Sequence, residues 1–273
     1  VNPASEKTLG RDGIHIQGNS HHGRIRYILG TTNDDFIALN VRDIKGNVTP
    51  RSVGNMTDIT IEHVYSENIR RGGNSVALYG GLDQGTVNPP TTNLYDIAPG
   101  IVGITLADTE ATVETSAPHG MEAGQFFYIS GAAPAGYNTG TAKRGETPGV
   151  VENVIDPTRF TYRVPGGLAP YEGSGTLVRY YRLKDISISN VKATTFIGSA
   201  VSLGSFDGVN GNYGVLENIN VRSAESYATA PSGKGVVALY NARLHYASFR
   251  NLASSNATMY PIFNGNFAQS PSM

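Results

Sequence analysis

Short apolar runs recur along the chain in two alternating forms, and a polar stretch separates each run from the next. The first form reads apolar-x-apolar-x-x-apolar and occurs, with looser copies, at 25–28, 59–64, 186–191, 219–221 and 249–252. The second form is shorter and occurs at 13–16, 36–39, 76–78, 201–203, 236–239 and 262–263. Short runs with alternating apolar and polar positions predict β-strands. The pattern therefore predicts a repeating unit of two strands.

The spacing of the repeats indicates how the units are arranged. The residues Ile25, Ile61, Ile188, Val221 and Phe249 form one column, with gaps of 36, 127, 33 and 28 residues. Gaps near 30 residues with two strands per unit are typical of a parallel β-helix, in which each coil stacks on the last. An antiparallel sandwich is less favoured, because tight hairpin signals are poorly placed between these strands. We predict an all-β solenoid, with inward residues in apolar columns and neighbouring strands about 4.8 Å apart.

The long gap predicts an insertion. Alternating short strands and Gly/Pro turns indicate a small antiparallel β-barrel at about 101–180, so that 1–100 and 181–273 are the two parts of the β-helix. This segment resembles small β-barrel modules of bacteriophage tail and other virion proteins, on the Pro-His-Gly turn at 118–120, the Ile-Ser-Gly at 129–131 and the Phe-Thr-Tyr strand at 160–162. We expect His119 to shape its turn; a catalytic role is the alternative.

Composition and charge exclude several classes. The chain has 33 glycines and 14 prolines but only 16% charged residues, which is typical of a turn-rich all-β protein. The net charge of -1 offers no basic surface for nucleic acid or an anionic membrane. No apolar run is long enough for a transmembrane helix, and the absence of cysteine excludes disulfides and thiol chemistry. Since the sequence begins at Val1 without a signal peptide, we expect a processed form or a fragment.

Three carboxylates are the strongest candidates for chemistry. Asp12 and Asp35 are 23 residues apart and precede matching strands, so they should stack on adjacent coils together with Asp34. Crowded like charges raise at least one pKa, which suits a general acid beside a general base. Inverting glycoside hydrolysis requires two carboxyl groups about 6.5–9.5 Å apart. The alternative is structural, because aspartates before strands commonly accept backbone N–H groups in turns.

The acids also carry a family resemblance. Their arrangement is similar to that of the polygalacturonase family of right-handed β-helix glycosidases, in which an Asn-Thr-Asp-Gly strand is followed one coil later by Asp-Asp. Asp12 with Gly13, Asp34 and Asp35 match these positions, which implies a right-handed β-helix and a catalytic role for the three acids. The pattern departs at Gly10 and Arg11, which stand in place of Asn-Thr, and at Asn74, which stands in place of the histidine of Gly-His-Gly. It also departs at 199–203, which lacks the Arg-x-Lys pair. Galacturonate specificity is therefore not implied.

Substrate-binding candidates surround the acids. Arg70 and Arg71 stand in the turn before Asn74 and would replace the missing cation for an anionic substrate, unless they are only a solvated turn. His15 and Tyr79 lie on the second-form strands and are expected to contact substrate. Outward positions on that face form a column of mostly small residues: His15, Ala38, Ala77, Ser202 and Ala238. They predict a shallow floor for an extended polymer, edged by Tyr79, Tyr240 and Tyr260, or else a surface packed against a loop or a neighbouring subunit.

No cofactor and no metal are expected. Neither a dinucleotide fingerprint, a phosphate-binding loop nor a Gly-x-Ser-x-Gly motif occurs, and the pair His21-His22 has no carboxylate spaced to complete a metal site. A polygalacturonase-like β-helix with a phage-type insertion resembles bacteriophage tailspikes. That resemblance implies a homotrimer in the virion tail, joined to other tail proteins, that binds and cleaves capsular or O-antigen polysaccharide at the bacterial surface.

Three hypotheses remain open for the function. The leading hypothesis is a glycoside hydrolase in which Asp12, Asp34 and Asp35 divide the acid, base and water-positioning roles. The first alternative is a polysaccharide lyase with Arg70 or Arg71 as the charge-neutralising cation. The second is a glycan-binding or structural spike segment without catalysis. Neither nucleic acid nor a membrane is an expected partner.

Overall fold

The computed structural model describes residues 12–41, 54–69, 73–82, 99–140, 147–195, 198–204, 214–228, 235–240, 242–255 and 260–265. In chain order the strands are β1 (Ile14–Gln17), β2 (Ser20–Gly30), β3 (Ile37–Asn40), β4 (Met56–Ile69), β5 (Val76–Tyr79), β6 (Gly81–Leu82), β7 (Ile101–Ala107), β8 (Glu110–Thr115), β9 (Phe126–Ser130), β10 (Gly149–Val150), β11 (Asn153–Asp156), β12 (Arg159–Arg163), β13 (Thr176–Thr195), β14 (Val201–Gly204), β15 (Gly214–Ala228), β16 (Gly235–Tyr240), β17 (Ala242–Ser254) and β18 (Tyr260–Gly265). A single turn of 3-10 helix covers Ala135–Tyr137. Among the described residues, no helix is long and apolar enough to cross a membrane.

Two parallel sheets run the length of the β-helix. The first sheet has the order β1-β3-β5-β14-β16-β18, and every neighbouring pair in it is parallel. The second sheet has the order β2-β4-β13-β15-β17 and is parallel throughout this path. The chain passes alternately from one sheet to the other, so each coil contributes one strand to each. The predicted parallel β-helix is confirmed.

The register between coils follows the apolar columns. Ile25, Ile61, Ile188, Val221 and Phe249 are successive partners across the second sheet, as their spacing predicts. The three central members of this column have no exposed surface and belong to one continuous core between the sheets. Full burial of an aliphatic side chain contributes about 1.5–3 kcal/mol, and no coil buries its own face alone. Stacking therefore creates the core.

Strands of the second sheet bend at two points in each coil. Each bend is a non-glycine residue in the left-handed region, with φ between 51° and 58°, and it is skipped in the pairing between coils. The first corner column consists of His22, Asp58, Asp185, Asn218 and Tyr246. The second corner column consists of Tyr27, His63, Asn190, Ser223 and Asn251. Asn, Asp and His tolerate this conformation better than most residues, which explains most of both columns.

The insertion between β5 and the second-sheet part of β13 is antiparallel, as predicted. It consists of a four-stranded sheet, β11-β12-β8-β7, and of β10 and β9 paired with Thr176–Arg179 of β13. Its own core centres on three aromatic rings, in which Phe127 meets Phe160 and Tyr162 edge to face. Within the described residues these sheets do not close into a barrel, so the predicted closed barrel is corrected to open antiparallel sheets. The strand β9 pairs with β13, which continues into the β-helix, and β7 and β11 remain at the two edges of their sheet.

Buried polar groups attach the insertion to the β-helix. The Gln125 amide accepts a hydrogen bond from Asn55 at 3.1 Å and donates one to the Tyr180 carbonyl at 2.7 Å. Arg182 has only 4% of its side chain exposed and binds Glu122 of the insertion at 3.0 Å and Glu217 of β15 at 3.2 Å. Because these groups are desolvated, removing one partner would leave a buried donor unpaired. The junction is therefore a specific contact.

His119 lies inside the insertion core. It is 1% exposed, its Nδ1 accepts the Met121 N–H at 3.0 Å, and its Nε2 lies 3.1 Å from the Asp156 carbonyl oxygen. Both ring nitrogens are engaged with the backbone, and the ring packs edge to face on Phe160. These contacts support the turn-shaping role expected from the sequence.

Candidate active site

The three acids meet where the first sheet begins. Ile14 and Ile37 are register partners, and the Gly13 N–H donates to the Asp35 carbonyl at 3.0 Å. Asp12 and Asp35 therefore occupy equivalent positions on adjacent coils. One carboxylate oxygen from each of Asp12, Asp34 and Asp35 lies within 4.8 Å of the others. The sequence spacing predicted this meeting.

Asp35 is the buried member of the cluster, with 5% of its surface exposed. Its Oδ1 accepts hydrogen bonds from the backbone N–H of Asn74 at 2.7 Å and from its Nδ2 at 2.9 Å. Its Oδ2 accepts the Tyr79 hydroxyl at 3.0 Å. Two donors fill the acceptor capacity of Oδ1, so Oδ2 is the oxygen that retains a lone pair for a proton.

Burial raises the pKa of Asp35 from 3.8 to about 6, and the charges of Asp34 and Asp12 contribute in the same direction. The hydrogen bonds from Asn74 stabilise the carboxylate and oppose the shift. Asp35 therefore holds a proton in mildly acidic solution, next to the carboxyl groups of Asp34 and Asp12.

Asp12 contacts a histidine of β1, the strand that it precedes. Its Oδ2 lies 2.8 Å from Nδ1 of His15, and 18% of the Asp12 side chain and 31% of the His15 side chain are exposed. Nε2 of His15 lies 2.9 Å from Nδ2 of Asn40. With the amide assigned this way, Asn40 donates to Nε2 and Nδ1 carries the proton that is donated to Asp12. His15 thus faces the cluster as well as solvent.

Sequence analysis missed Asn40, although the alternation of β3 contained a signal. Asn40 follows Ala38, the register partner of His15, by two residues and so faces the same side. The small Ala38 side chain leaves room for the imidazole to reach across. The strand pattern identifies the shared face, whereas the contact depends on rotamers.

Asp34 is half-buried and is held through its backbone. The Thr32 hydroxyl donates to the Asp34 carbonyl at 2.6 Å. The next coil passes so close that a Cβ atom on Gly73 would lie 2.3 Å from the Asp34 carbonyl carbon. Glycine at 73 is therefore required for the coil to approach Asp34, which is a role that the Gly-His-Gly comparison did not suggest.

The predicted substrate-binding residues have different positions. Asn74 and Tyr79 are both buried and donate to Asp35, and the Asn74 Oδ1 accepts the Ser199 N–H at 3.0 Å. In this structure they support the carboxylate, and a contact with substrate stays a prediction. Arg70 and Arg71 lie outside the described residues.

The column of small residues beside the site is not an open floor. Ala38, Ala77, Ser202 and Ala238 are register partners, as the spacing predicts, but each is at most 1% exposed. Tyr79 and Tyr240 beside them are each 7% exposed, whereas Tyr260 is 60% exposed. The column faces away from the apolar core and is nevertheless shielded from solvent, so the packed-surface alternative describes it better. A polymer chain cannot lie along it in this conformation.

The spacing of the acids limits their chemistry. Oxygens within 4.8 Å are closer than the separation of about 6.5–9.5 Å that leaves room for water between two inverting carboxyl groups. Such oxygens are also close enough to share a cation. However, three donors already occupy Asp35, so a cation would compete with hydrogen bonds that are in place. The spacing is instead near the separation of about 5–5.5 Å that is typical of two carboxyl groups in a retaining glycosidase.

No family description and no curated relative matches the sequence. Two solved structures to which the fold is similar are phage tailspikes. The tailspike protein gp49 from Pseudomonas phage LKA1 is 12% identical, with a TM-score of 0.27 over 83% of this chain and 37% of that chain. The Gp54 tailspike of Acinetobacter baumannii bacteriophage AP22, in complex with capsular saccharide, is 10% identical, with a TM-score of 0.23 over 92% of this chain and 40% of that chain. At this level of similarity, function has to be argued from the site.

Proposed function

We propose that the chain is a segment of a phage tailspike that binds and hydrolyses bacterial surface polysaccharide. The observation that carries the proposal is the cluster of Asp12, Asp34 and Asp35, in which one buried carboxyl group stays protonated up to about pH 6 beside two that reach solvent. A general acid beside an ionised carboxylate is the pair that glycoside hydrolysis requires.

The roles follow from exposure. Asp35 lies behind the other two acids and supplies the proton of the cluster through Oδ2. Asp34 and Asp12 face the substrate at the short spacing of a retaining pair. One protonates the leaving oxygen and then activates water, and the other attacks the sugar and is released from the glycosyl intermediate by that water. His15 holds Asp12 in position through the contact of its Nδ1 with the Asp12 carboxylate at 2.8 Å. We expect the hydrolysis to proceed without a metal or another cofactor.

A second function is favoured by the hydrogen bonds of Asp35. Three donors from two residues fix this carboxylate as firmly as a purely structural aspartate is fixed. If Asp34 and Asp12 only contact sugar hydroxyls, the chain is a glycan-binding spike segment that does not cut its ligand. Polysaccharide binding is common to both functions, and bond cleavage separates them.

The test is mass spectrometry of soluble products in water enriched in oxygen-18. The chain is incubated with capsular and O-antigen polysaccharides, including an A. baumannii capsular saccharide. A hydrolase gives oligosaccharides with one labelled oxygen per cut. Unsaturated products without the label would identify a lyase and direct attention to Arg70 and Arg71. Binding without products would establish the glycan-binding function and overturn the hydrolase.

The proposed function includes assembly as a homotrimer in the virion tail, in contact with other tail proteins. Leu29 and Tyr65 are register partners and are 72% and 45% exposed, and Tyr27 nearby is 72% exposed. A further subunit would cover this apolar surface. Light scattering after size exclusion should give a trimer mass, and Leu29→Glu should lower the fraction of trimer. A monomer at all concentrations would contradict this part of the proposal.

A further inference from the structure

Two arginines stack on each other in the second sheet. Arg222 of β15 and Arg250 of β17 are register partners, and both side chains are exposed. Neither forms an ion pair or a side-chain hydrogen bond within the described residues. Like charges on directly opposite strand positions are destabilising. The fold therefore carries an uncompensated repulsion at this position.

At the other end of the second sheet, the same row of register partners contains a carboxylate that compensates its arginines. Arg26 is the register partner of Glu62, and Glu62 lies 3.3 Å from Arg24 and 3.8 Å from Arg26. One carboxylate on the adjacent coil thus serves two arginines. At the corresponding positions of the last two described coils, Arg222 and Arg250 have no such carboxylate. An anion from outside the chain would take the place that Glu62 fills.

Small polar residues stand beside the arginine pair. Asn220 and Ser248 precede Arg222 and Arg250 by two positions, so they face the same side of the sheet, and they are register partners of each other. They offer an amide and a hydroxyl next to two guanidinium groups. Guanidinium groups bind carboxylates through paired hydrogen bonds, and amides and hydroxyls bind sugar hydroxyls.

An aromatic side chain marks the edge of this surface. Tyr246 begins the same strand segment, has φ of 58°, and is 88% exposed. The other members of the first corner column are His, Asp and Asn, which accept a left-handed backbone more readily than tyrosine does. An exposed tyrosine in a strained conformation contributes nothing to the core. Such an outlier is a reason to consider a functional role.

We propose that Arg222, Arg250 and Tyr246 form a binding site for an acidic polysaccharide, on the second sheet and separate from the acid cluster. The arginine pair binds the carboxylate of a uronic acid, Asn220 and Ser248 bind hydroxyl groups, and the Tyr246 ring stacks on another sugar of the same chain. The choice of a polysaccharide as ligand rests on the proposed function. Binding by the arginines and the tyrosine does not require that the chain cleave the polysaccharide.

The dimensions favour a polymer over a free anion. Tyr246 and Arg250 are four positions apart on one strand, which corresponds to about 13 Å. A phosphate or a single uronic acid would reach the arginines and leave Tyr246 without a contact. The insertion borders the start of this strand, because Phe126 packs on His245 at 5.2 Å and on Arg243 at 5.7 Å. The site therefore has a wall next to its aromatic end.

The experiment is titration calorimetry with a size-defined oligogalacturonate and its carboxyl-reduced counterpart. The double variant Arg222→Gln with Arg250→Gln should bind the acidic ligand about tenfold or more weakly, because it removes both charged donors to the carboxylate. The matched control, Arg24→Gln with Arg26→Gln, removes the same charge at the compensated end and should bind like the wild type. Tyr246→Ala should weaken binding and Tyr27→Ala should not.

Equal losses in the two double variants would show that net charge alone attracts the ligand and would overturn the proposal. Equal affinity for the carboxyl-reduced ligand, or displacement by inorganic phosphate at matched ionic strength, would also overturn it. Asp34→Asn separates this site from the proposed hydrolase, because it should lower turnover about 100-fold or more and retain binding here. If the wild type binds the acidic ligand at the arginines but cleaves no polysaccharide, only the proposed hydrolase is contradicted. If the wild type cleaves polysaccharide but the arginine variants bind the acidic ligand as well as the wild type does, only this site is contradicted.

Discussion

Asp35 in the β-helix and Asp156 in the insertion are both turn aspartates that accept several hydrogen bonds. Asp156 accepts the Thr158 N–H and hydroxyl at 2.8 and 2.9 Å and the Arg159 guanidinium at 2.7 Å. Its hydrogen bond with Arg159 is the main cause that lowers its pKa to about 2, whereas burial raises the pKa of Asp35 to about 6. Similar hydrogen bonding thus accompanies opposite shifts. Burial and the charge of the neighbours decide whether a turn aspartate can hold a proton near neutral pH.

The largest expected effect is on turnover, and it tests whether the acid cluster and Asp156 differ in function as they differ in pKa. Asp34→Asn should lower turnover of a cleaved polysaccharide about 100-fold or more, which is the usual contribution of a general acid or base. Asp156→Asn is the matched control, since it makes the same change in an aspartate that is paired with a cation, and it should keep wild-type turnover. The measurement is the initial rate of reducing-end formation. Equal turnover in both variants would remove the cluster from catalysis.

The pH dependence of stability sharpens the comparison. Because the folded-state pKa of Asp35 is raised, its contribution to stability is fully present below pH 3.8 and is lost as pH rises through about 6. The loss is on the order of 3 kcal/mol, at about 1.4 kcal/mol for each unit of pKa. Asp35→Asn, whose amide still pairs with Asn74 and Tyr79, should lack this decline in urea denaturation.

The control for that experiment has the opposite sign. The folded-state pKa of Asp156 is lowered, so its contribution is present above pH 3.8 and is lost as pH falls through about 2. Asp156→Asn should therefore be less stable than the wild type by a constant amount between pH 4 and 6, and its stability should decline with pH in parallel with that of the wild type. A wild-type curve that rises through the Asp35 window relative to Asp35→Asn would contradict the raised pKa.

A backbone change tests whether the cluster depends on the close approach of its third coil. Gly73→Ala should destabilise the fold by about 1–3 kcal/mol, because the added methyl group overlaps the backbone of Asp34. Gly103→Ala is the control, since a Cβ there meets nothing within 4 Å. Chemical denaturation measures both. If the two variants were equally stable, the predicted overlap would be absent in solution.

The smallest effect concerns the donor to Oδ2. Tyr79→Phe removes a hydrogen bond that favours the ionised form of Asp35, so the pKa of Asp35 should rise further and stability should fall by about 1 kcal/mol. Tyr240→Phe, at the equivalent position two coils further along the same sheet, should leave that pKa unchanged. The carboxyl carbon shift of Asp35 in an NMR titration measures it. A lowered pKa in Tyr79→Phe would reverse our account of the hydroxyl.

The sequence predicted the features that depend on spacing. The coil register follows from columns such as Ile61 and Ile188, because inward residues must repeat once per coil for the core to be continuous. Asp12 and Asp35 meet for the same reason, since each precedes a strand that has a partner in the next coil. Long-range geometry is readable here because stacking makes it periodic.

Features that depend on side-chain or backbone detail were not predictable. The two corner columns escaped notice, because a left-handed φ at Tyr246 or Tyr27 has no sequence signature. The prediction of a closed barrel was wrong, because alternating apolar and polar residues identify strands without identifying the strand that pairs with β9. The shielding of Ala77 and the pairing of His15 with Asn40 likewise depend on packing. Neither feature repeats along the sequence, so spacing does not predict it.

The uninterrupted course of β13 from the insertion into the second sheet has a kinetic consequence. Val76 and Val201 are adjacent in the first sheet although 125 residues separate them, whereas Val201 and Val237 are only 36 residues apart. Closing the longer loop costs only about 1 kcal/mol more in chain entropy, but contacts between distant residues form slowly. The coils after β13 can therefore assemble early. The coils before β6 should join last, once the folded insertion has brought the ends of the long connection between β5 and β14 together. The first coils carry all three acids, so the candidate active site would be the last part of the molecule to form.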